Sequence, residues 1–167
     1  MAEVASSLPG ELLRQTMRRW VTGVTIVTSQ AGGRRHGMTV NSFTSVSLDP
    51  PLVTVTLAND TRTRALVESA GCFGVSVLAE EQQHLSDIFA GKIPDGGERF
   101  AGVEVFELDG QVPLIAGGLA ALVCRVAAAH PVGRSTLYLG EVTAAWRRED
   151  GEPLVYFNRG YHRLQTR

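Results

Sequence analysis

The sequence predicts a mainly β protein with flanking helices, and three observations support this fold class. Segments rich in Val, Ile and Thr recur along the chain, and several alternate apolar with polar residues as a half-buried strand does. Most of these segments are joined by short turns that contain Gly, Pro or Asp. Helical spacing is confined to a few stretches between them. Because the strands do not alternate with long helices, a closed antiparallel barrel is favoured over a parallel sheet.

The composition indicates one domain, 1–167, in which residues 1–8 are expected to be flexible. With 44% hydrophobic and 20% charged residues, the chain can bury a core without disulfides or structural metal. A net charge of −1 argues against binding to nucleic acid or to an anionic membrane surface. No window approaches the roughly 18 apolar residues of a membrane span. Cys72 and Cys124 are far apart and lack a CxxC spacing, which favours a reducing, cytoplasmic setting.

Periodicity and turn residues divide the chain into its expected elements. Helices are predicted at 10–20, 61–71 and 79–92. Strands are predicted at 21–29, 38–47, 52–57, 73–77, 102–108, 136–146 and 153–158. The glycine-rich turn AGGRRHG makes the first two strands an antiparallel hairpin, and the prolines of LDPP end the second. Segment 119–131 suits either a helix or a buried strand, and its periodicity does not decide.

Two boundary features of the helices can be read from the residues. Asn59 or Asp60 is predicted to cap the second helix, and Gly71 is predicted to end it. The first helix carries Leu13, Met17 and Trp20 on one side, so its apolar face is expected to pack against something.

The segment GMTVNSFTSVSLDPP, residues 37–51, combines strand-like spacing of Val and Phe with many hydroxyl and amide side chains. Ser and Thr are tolerated in β-strands without any functional role. A strand lined with small polar groups also suits a flat, polar ligand that lies against it. Both interpretations remain open from the residues alone.

Two further segments permit a ligand. In ANDTRTR, the side chains of Thr61, Arg62, Thr63 and Arg64 stand at a predicted helix start, which suits either a phosphate anchor or a solvated cap. The aromatic tail LVYFNRGYHRL either packs on the core or covers a planar ring.

A metal centre is not predicted. The four histidines have no ligand-like spacing, and GGLAAL lacks the lysine of a phosphate-binding loop. The histidines are His36, His84, His130 and His162.

Several segments together resemble the short flavin reductases of the FMN-binding split β-barrel fold, which supply reduced flavin to two-component monooxygenases. They follow the order of that family and cover nearly the whole chain. The segments are RRWVTGVTIVTS, GMTVNSFTSVSLDPPLV, FGVSVLAEEQQHLSDIFAG, the RF at 99–100, PLIAGGLAALVCRV and LVYFNRGYHRL. The resemblance implies an NAD(P)H:flavin oxidoreductase that takes FMN or FAD and receives hydride from NADH or NADPH. It also implies a homodimer and a partner monooxygenase.

The resemblance assigns site residues by their place in these segments. The isoalloxazine wall would be Met38, Thr39, Val40, Asn41, Ser42, Ser45, Val46 and Ser47. Another edge of the ring would be framed by Leu57, Ala58 and Asn59, and the phosphate would be held by Thr61, Arg62 and Thr63. The nicotinamide side would be Gly133, Arg134, Ser135, Arg159 and Tyr161. No residue is expected to act as a catalytic acid, base or nucleophile, because hydride passes between two apposed rings.

One position departs from the family pattern. Many members carry Gly-Asp-His or Gly-x-His before the penultimate strand, whereas this chain keeps Gly133 and has Arg134 and Ser135 in place of the acid and the histidine. An arginine suits the phosphate of NADPH. The same change is compatible with weak use of nicotinamide, so a flavoprotein that reduces another acceptor and a flavin carrier remain alternatives.

Overall fold

A seven-stranded antiparallel sheet organises the chain, in a computed structural model that describes residues 10–94 and 98–164. The predicted flexible segment 1–8 lies outside the described residues. The helices are α1 (Gly10–Met17), α2 (Arg62–Ala70) and α3 (Gln83–Phe89), the last preceded by a 3₁₀ turn at Glu80–Gln82. The strands are β1 (Thr22–Gly23), β2 (Thr25–Ala31), β3 (Arg34–Val40), β4 (Thr44–Leu48), β5 (Pro51–Ala58), β6 (Cys72–Val77), β7 (Val105–Phe106), β8 (Leu114–Ile115), β9 (Ala120–Val132), β10 (Ser135–Arg147), β11 (Val155–Phe157) and β12 (Gly160–His162).

The strand order in the large sheet is β3-β2-β6-β9-β10-β5-β4. All of its pairings are antiparallel, as predicted. The predicted mainly β fold with flanking helices is confirmed, and the sheet is split rather than closed: β3 and β4 are its two edges, and no hydrogen-bonded ladder joins them in the described residues. A three-stranded sheet, β1-β11-β12, lies beside it, and β7 pairs with β8. The fold is therefore mainly β, with an open seam between two edge strands.

The hydroxyl-rich segment spans this seam. The single strand predicted at 38–47 is instead two strands, since β3 ends at Val40 and β4 begins at Thr44. β3 pairs with β2, whereas β4 pairs with β5 on the opposite edge. Residues 41–43 thus carry the chain from one edge of the sheet to the other, which strand-like periodicity does not reveal.

Other boundaries confirm or correct the predictions. The ambiguous segment 119–131 is strand β9, which pairs with β6 on one side and β10 on the other. The strand expected at 102–108 is limited to two residues. Thr61, rather than Asn59 or Asp60, caps α2, because its hydroxyl accepts the hydrogen bond of the Arg64 amide. Gly71 ends α2 in the left-handed conformation, as predicted.

Two apolar clusters form most of the core. One lies within the large sheet, and the other lies between that sheet, α3 and the C-terminal strands. The first includes Val27, Val55, Leu57, Phe73 and Val75, and the second includes Ile26, Leu78, Phe89, Phe100 and Ile115. α1 buries none of its residues, so its apolar face remains exposed on the chain. No helix in the described ranges is long and apolar enough to cross a membrane.

Candidate functional site

A cleft of about 190 Å³ opens where β3 ends, between α3 and the C-terminal hairpin. Strand β3 contributes its last residues, α3 and the turn after it contribute one wall, and β11 and β12 contribute two tyrosines. The lining residues are Val24, Thr39, Val40, Asn41, Ser86, Ala90, Lys92, Tyr156 and Tyr161. Part of the predicted ring wall and one residue of the predicted nicotinamide side therefore meet in one cleft.

Close packing of α3 on β3 holds the wall of the cleft. The Thr39 hydroxyl donates to the Ser86 carbonyl at 2.7 Å. Arg99 donates from Nη1 both to the Gly37 carbonyl at 3.0 Å and to the Phe89 carbonyl at 2.7 Å. A side chain at position 37 would meet the Phe89 ring, since a Cβ there would lie 2.8 Å from its Cε1. Glycine at this position lets the helix approach the strand.

A hydrogen-bonded network runs along the α3 side of the cleft. The Lys92 ammonium donates to the Asp87 carboxylate at 2.8 Å and lies 4.8 Å from the centre of the Tyr161 ring. The Tyr161 hydroxyl donates to the same carboxylate at 3.0 Å, and it lies 2.8 Å from the Ser86 hydroxyl. The hydrogen bond from Lys92 is the main cause that lowers the pKa of Asp87, and the carboxylate in turn raises the pKa of Lys92.

The C-terminal hairpin presents Arg159 from a constrained turn. Phe157 pairs with Gly160, so Asn158 and Arg159 form a two-residue loop with φ values of 48° and 68°. Both residues occupy the left-handed region, which is unfavourable for side chains other than glycine. The Asn158 amide donates to the Arg18 carbonyl at 3.1 Å, which joins this loop to the end of α1.

Several polar side chains of the hydroxyl-rich segment form hydrogen bonds within the protein. The Ser42 hydroxyl donates to the Thr56 carbonyl at 2.9 Å and accepts from the Thr56 amide at 3.1 Å, so it fastens the seam to β5. The Ser47 hydroxyl accepts from the Asp49 amide. Ser45 and Val46 are exposed, and Val46 lies at a bulge in the pairing of β4 with β5. Met38 instead packs against the core.

The predicted ring edge and nicotinamide side are joined by strand pairing. Ser135 pairs with Ala58, and the Asn59 amide donates to the Arg134 carbonyl at 3.0 Å. The Thr136 hydroxyl donates to the Asn59 side-chain oxygen at 2.7 Å. Gly133 has a φ of 57° in the β9–β10 turn. Leu57, by contrast, is fully buried in the core, so its side chain faces away from any solvent-accessible site.

The three residues predicted to hold phosphate point in different directions. Thr61 caps α2 and also donates its hydroxyl to the Ala58 carbonyl at 2.8 Å. Thr63 is buried, and its hydroxyl lies 2.8 Å from Nδ1 of His36. Arg62 lines a separate, open groove of about 940 Å³ together with Arg34 and Arg35 at the β2–β3 turn. The structure does not bring these three side chains together in the cleft.

The two cysteines do not line the cleft, and neither thiol is activated. Burial raises the pKa of Cys72, and it raises the pKa of Cys124 to about 12, so both remain thiols at neutral pH. Within the ranges 10–94 and 98–164, no group of three or more His, Cys, Asp or Glu side chains is arranged to hold a metal ion.

Sequence reasoning missed several cleft residues, namely Val24, Ser86, Ala90, Lys92 and Tyr156. They enter the cleft through tertiary packing, such as that of α3 on β3. One signal was available for Lys92: it is the only lysine of the chain, whose other basic residues among 16 Lys and Arg are all arginines.

The chain thus combines an open antiparallel sheet, a hydroxyl-rich segment that crosses its seam and a cleft lined by two tyrosines. The chain belongs to the flavin reductase like domain family, whose model matches residues 17–165. It is 38% identical to an NADH-dependent flavin reductase of a Rhodococcus species, over an alignment that covers 99% of this chain and 94% of the relative. It is 37% identical to the reductase component of 4-hydroxyphenylacetate 3-monooxygenase from Thermus thermophilus, with 92% and 96% covered. The solved NADH:FAD oxidoreductase SgcE6 of Streptomyces globisporus superposes with a TM-score of 0.90 at 34% identity, over 99% of each chain.

Proposed function

We propose that this protein is an NAD(P)H-dependent flavin reductase that transfers hydride from NADH or NADPH to FMN or FAD. The observation that carries the proposal is the meeting of Thr39, Val40 and Asn41 with Tyr156 and Tyr161 in one cleft, within a chain of the flavin reductase like domain family. Relatives named as NADH-dependent flavin reductases, and as reductase components of monooxygenases, support the same activity.

The residues of the cleft fit a flavin ring by their chemistry. Asn41 offers an amide at the end of β3, and the Thr39 hydroxyl is already engaged with α3, which leaves the strand backbone and the tyrosine rings for a planar ligand. The flavin supplies the hydride-accepting chemistry when it is bound. The protein orients the ring, restricts water and offers donors to its pyrimidine edge, where charge develops. We place Ser45, Val46 and Ser47 along the continuation of this wall, and Ala58 and Asn59 at another edge.

The nicotinamide side is proposed to lie at the β9–β10 turn and the C-terminal hairpin. Ser135 is fixed there by the pairing of β10 with β5, Gly133 and Arg134 form the turn that precedes it, and Arg159 projects from its constrained turn. The Arg134 backbone is held by Asn59 whereas its side chain is exposed. Its guanidinium is thus available to a phosphate of the nucleotide. Phosphate recognition by Arg62 would use the separate groove on α2.

A homodimer is part of the proposal because the cleft of one chain is small. Its volume of about 190 Å³ is below the range of about 300–1,000 Å³ that is usual for ligand pockets. The chain after α1 meets the C-terminal hairpin, which contributes to the cleft, through the hydrogen bond from the Asn158 amide to the Arg18 carbonyl. α1 exposes Leu13 by 50% and Met17 by 52%, and Trp20, which follows the helix, is 66% exposed. A second copy that covers this apolar face would enlarge the site and bury the side chains. Trp20→Glu is expected to give monomers in light scattering, and a dimer unaffected by this change would contradict the assignment of the interface.

A steady-state assay tests the function. Oxidation of NADH or NADPH that requires added free flavin supports a cytoplasmic reductase that supplies reduced flavin to a partner monooxygenase. Oxidation that requires only another acceptor would indicate a bound prosthetic flavin. Flavin binding without any oxidation would indicate a carrier, the alternative that Ser135 keeps open.

The proposed contact between Arg134 and the additional phosphate of NADPH can be tested separately. Arg134→Ala is expected to raise the Michaelis constant for NADPH several-fold more than that for NADH, because only NADPH carries the additional phosphate. The backbone hydrogen bond to Asn59 survives this change. Equal effects on the two donors would remove the phosphate role.

A further inference from the structure

The only lysine of the chain lies in the cleft. Lys92 follows α3 and lines the cleft together with Asn41, and the other 15 of the 16 Lys and Arg residues in the sequence are arginines. An ammonium is a compact point charge with three donors, whereas a guanidinium is a planar fork. A single compact cation therefore stands at the place where the proposed flavin ring would lie.

The neighbours of Lys92 fix the position of its charge. Asp87 binds the ammonium at 2.8 Å but does not line the cleft, and Tyr161 supports it through its ring. The Tyr161 hydroxyl is also 3.4 Å from the ammonium. The Lys92 side chain remains 53% exposed. One face of the ammonium is thus held by the protein, while the other is open to a ligand.

We propose that Lys92 raises the affinity of the cleft for reduced flavin relative to its affinity for oxidised flavin. This inference rests on the proposed function. Transfer of a hydride adds two electrons and one proton to a neutral ring, which leaves a net negative charge, while the nicotinamide becomes a cation. A fixed ammonium at the edge of the ring stabilises that anion and has little to bind on the neutral form. Lys92 is thereby a determinant of which redox form the site holds.

The test compares the affinities of the two redox forms. Lys92→Met removes the charge and keeps the aliphatic stem. It is expected to weaken binding of reduced flavin, titrated anaerobically, by about three- to tenfold, since half of the side chain is exposed. Binding of oxidised flavin should change by less than about twofold. A tenfold decrease in the affinity for reduced flavin relative to that for oxidised flavin lowers the midpoint potential of the bound flavin by about 30 mV.

Two variants serve as controls. Lys92→Arg keeps the charge and is expected to retain most of the preference for reduced flavin. Arg147→Gln removes an exposed cation that is paired with Glu149 and does not line the cleft, so it should leave both affinities unchanged. Equal weakening of both redox forms in Lys92→Met, or no weakening of either, would overturn the inference. If the unaltered protein binds flavin, such a result leaves the proposed function intact; if it binds no flavin, the proposed function itself fails.

The single lysine allows a second measurement that involves no variant. Amine acetylation followed by mass spectrometry reports on Lys92 separately from the N-terminal amine. Reduced flavin is expected to slow acetylation of Lys92 several-fold and to leave the N-terminal amine unaffected. Equal rates with and without saturating reduced flavin would contradict a contact between the ammonium and the ring.

Discussion

Replacing Ser42 by alanine removes the hydroxyl that fastens the seam segment to β5. In the native chain this hydroxyl donates to the Thr56 carbonyl at 2.9 Å and accepts from the Thr56 amide at 3.1 Å. Each such hydrogen bond contributes about 0.5–1.5 kcal/mol net. Because Ser42 is only half-buried, water can replace part of the lost hydrogen bonding. We therefore expect the variant to be less stable by about 1–2 kcal/mol.

Urea unfolding followed by circular dichroism measures this loss. The urea concentration at the midpoint of unfolding should fall. The slope of the free energy of unfolding against urea concentration should stay constant, since the fold is otherwise retained. In a thermal scan the same loss corresponds to a decrease of about 2–8 °C for a chain of this size.

A neighbouring serine provides the matched control. Ser45 belongs to the same segment but is exposed on β4, so Ser45→Ala should change the stability by less than about 0.5 kcal/mol. If Ser45 lies on the flavin wall, Ser45→Ala should weaken flavin binding although it leaves the stability unchanged. Equal stability of the two variants would refute the argument that Ser42 closes the seam.

Three further changes test other parts of the account. Arg159→Gly should stabilise the protein by up to about 1 kcal/mol in urea unfolding, because glycine adopts the φ of 68° without strain, yet raise the Michaelis constant for the nicotinamide nucleotide. Gly140→Ala should cost about 1–3 kcal/mol in the same experiment, since a Cβ would lie 2.5 Å from Cζ of Phe73. Thr136→Val should cost about 1 kcal/mol and weaken flavin binding in fluorescence titration, because it releases the side chain of Asn59. An Arg159→Gly variant with reduced stability, or a Thr136→Val variant with unchanged flavin affinity, would count against the corresponding assignment.

Local signals were sufficient to predict most of the strands. Alternation identified β5 and β6, and the glycines after β2 identified the hairpin with β3. Local signals failed where the strand-like pattern continues although the chain changes from one pairing strand to another. Residues 41–43 look like the middle of a strand, but β3 and β4 pair with different edges of the sheet, and only the global topology breaks them apart.

Only part of the candidate cleft could be predicted from the sequence. Thr39, Val40 and Asn41 were assigned through the resemblance of their segment to flavin reductases, whereas Lys92 enters the cleft only because α3 packs on β3. Side-chain direction was also beyond local reasoning. Leu57 and Thr63 occur in the expected segments, but the packing of β5 and α2 directs both side chains into the interior.

The structure of the protein with bound flavin tests the central claim most directly. We predict that the ring lies along Thr39, Val40 and Asn41, with Tyr161 on the opposite side and Lys92 at its pyrimidine edge. A ring bound elsewhere, or a cleft that stays filled by the protein's own side chains at saturating flavin, would contradict the account.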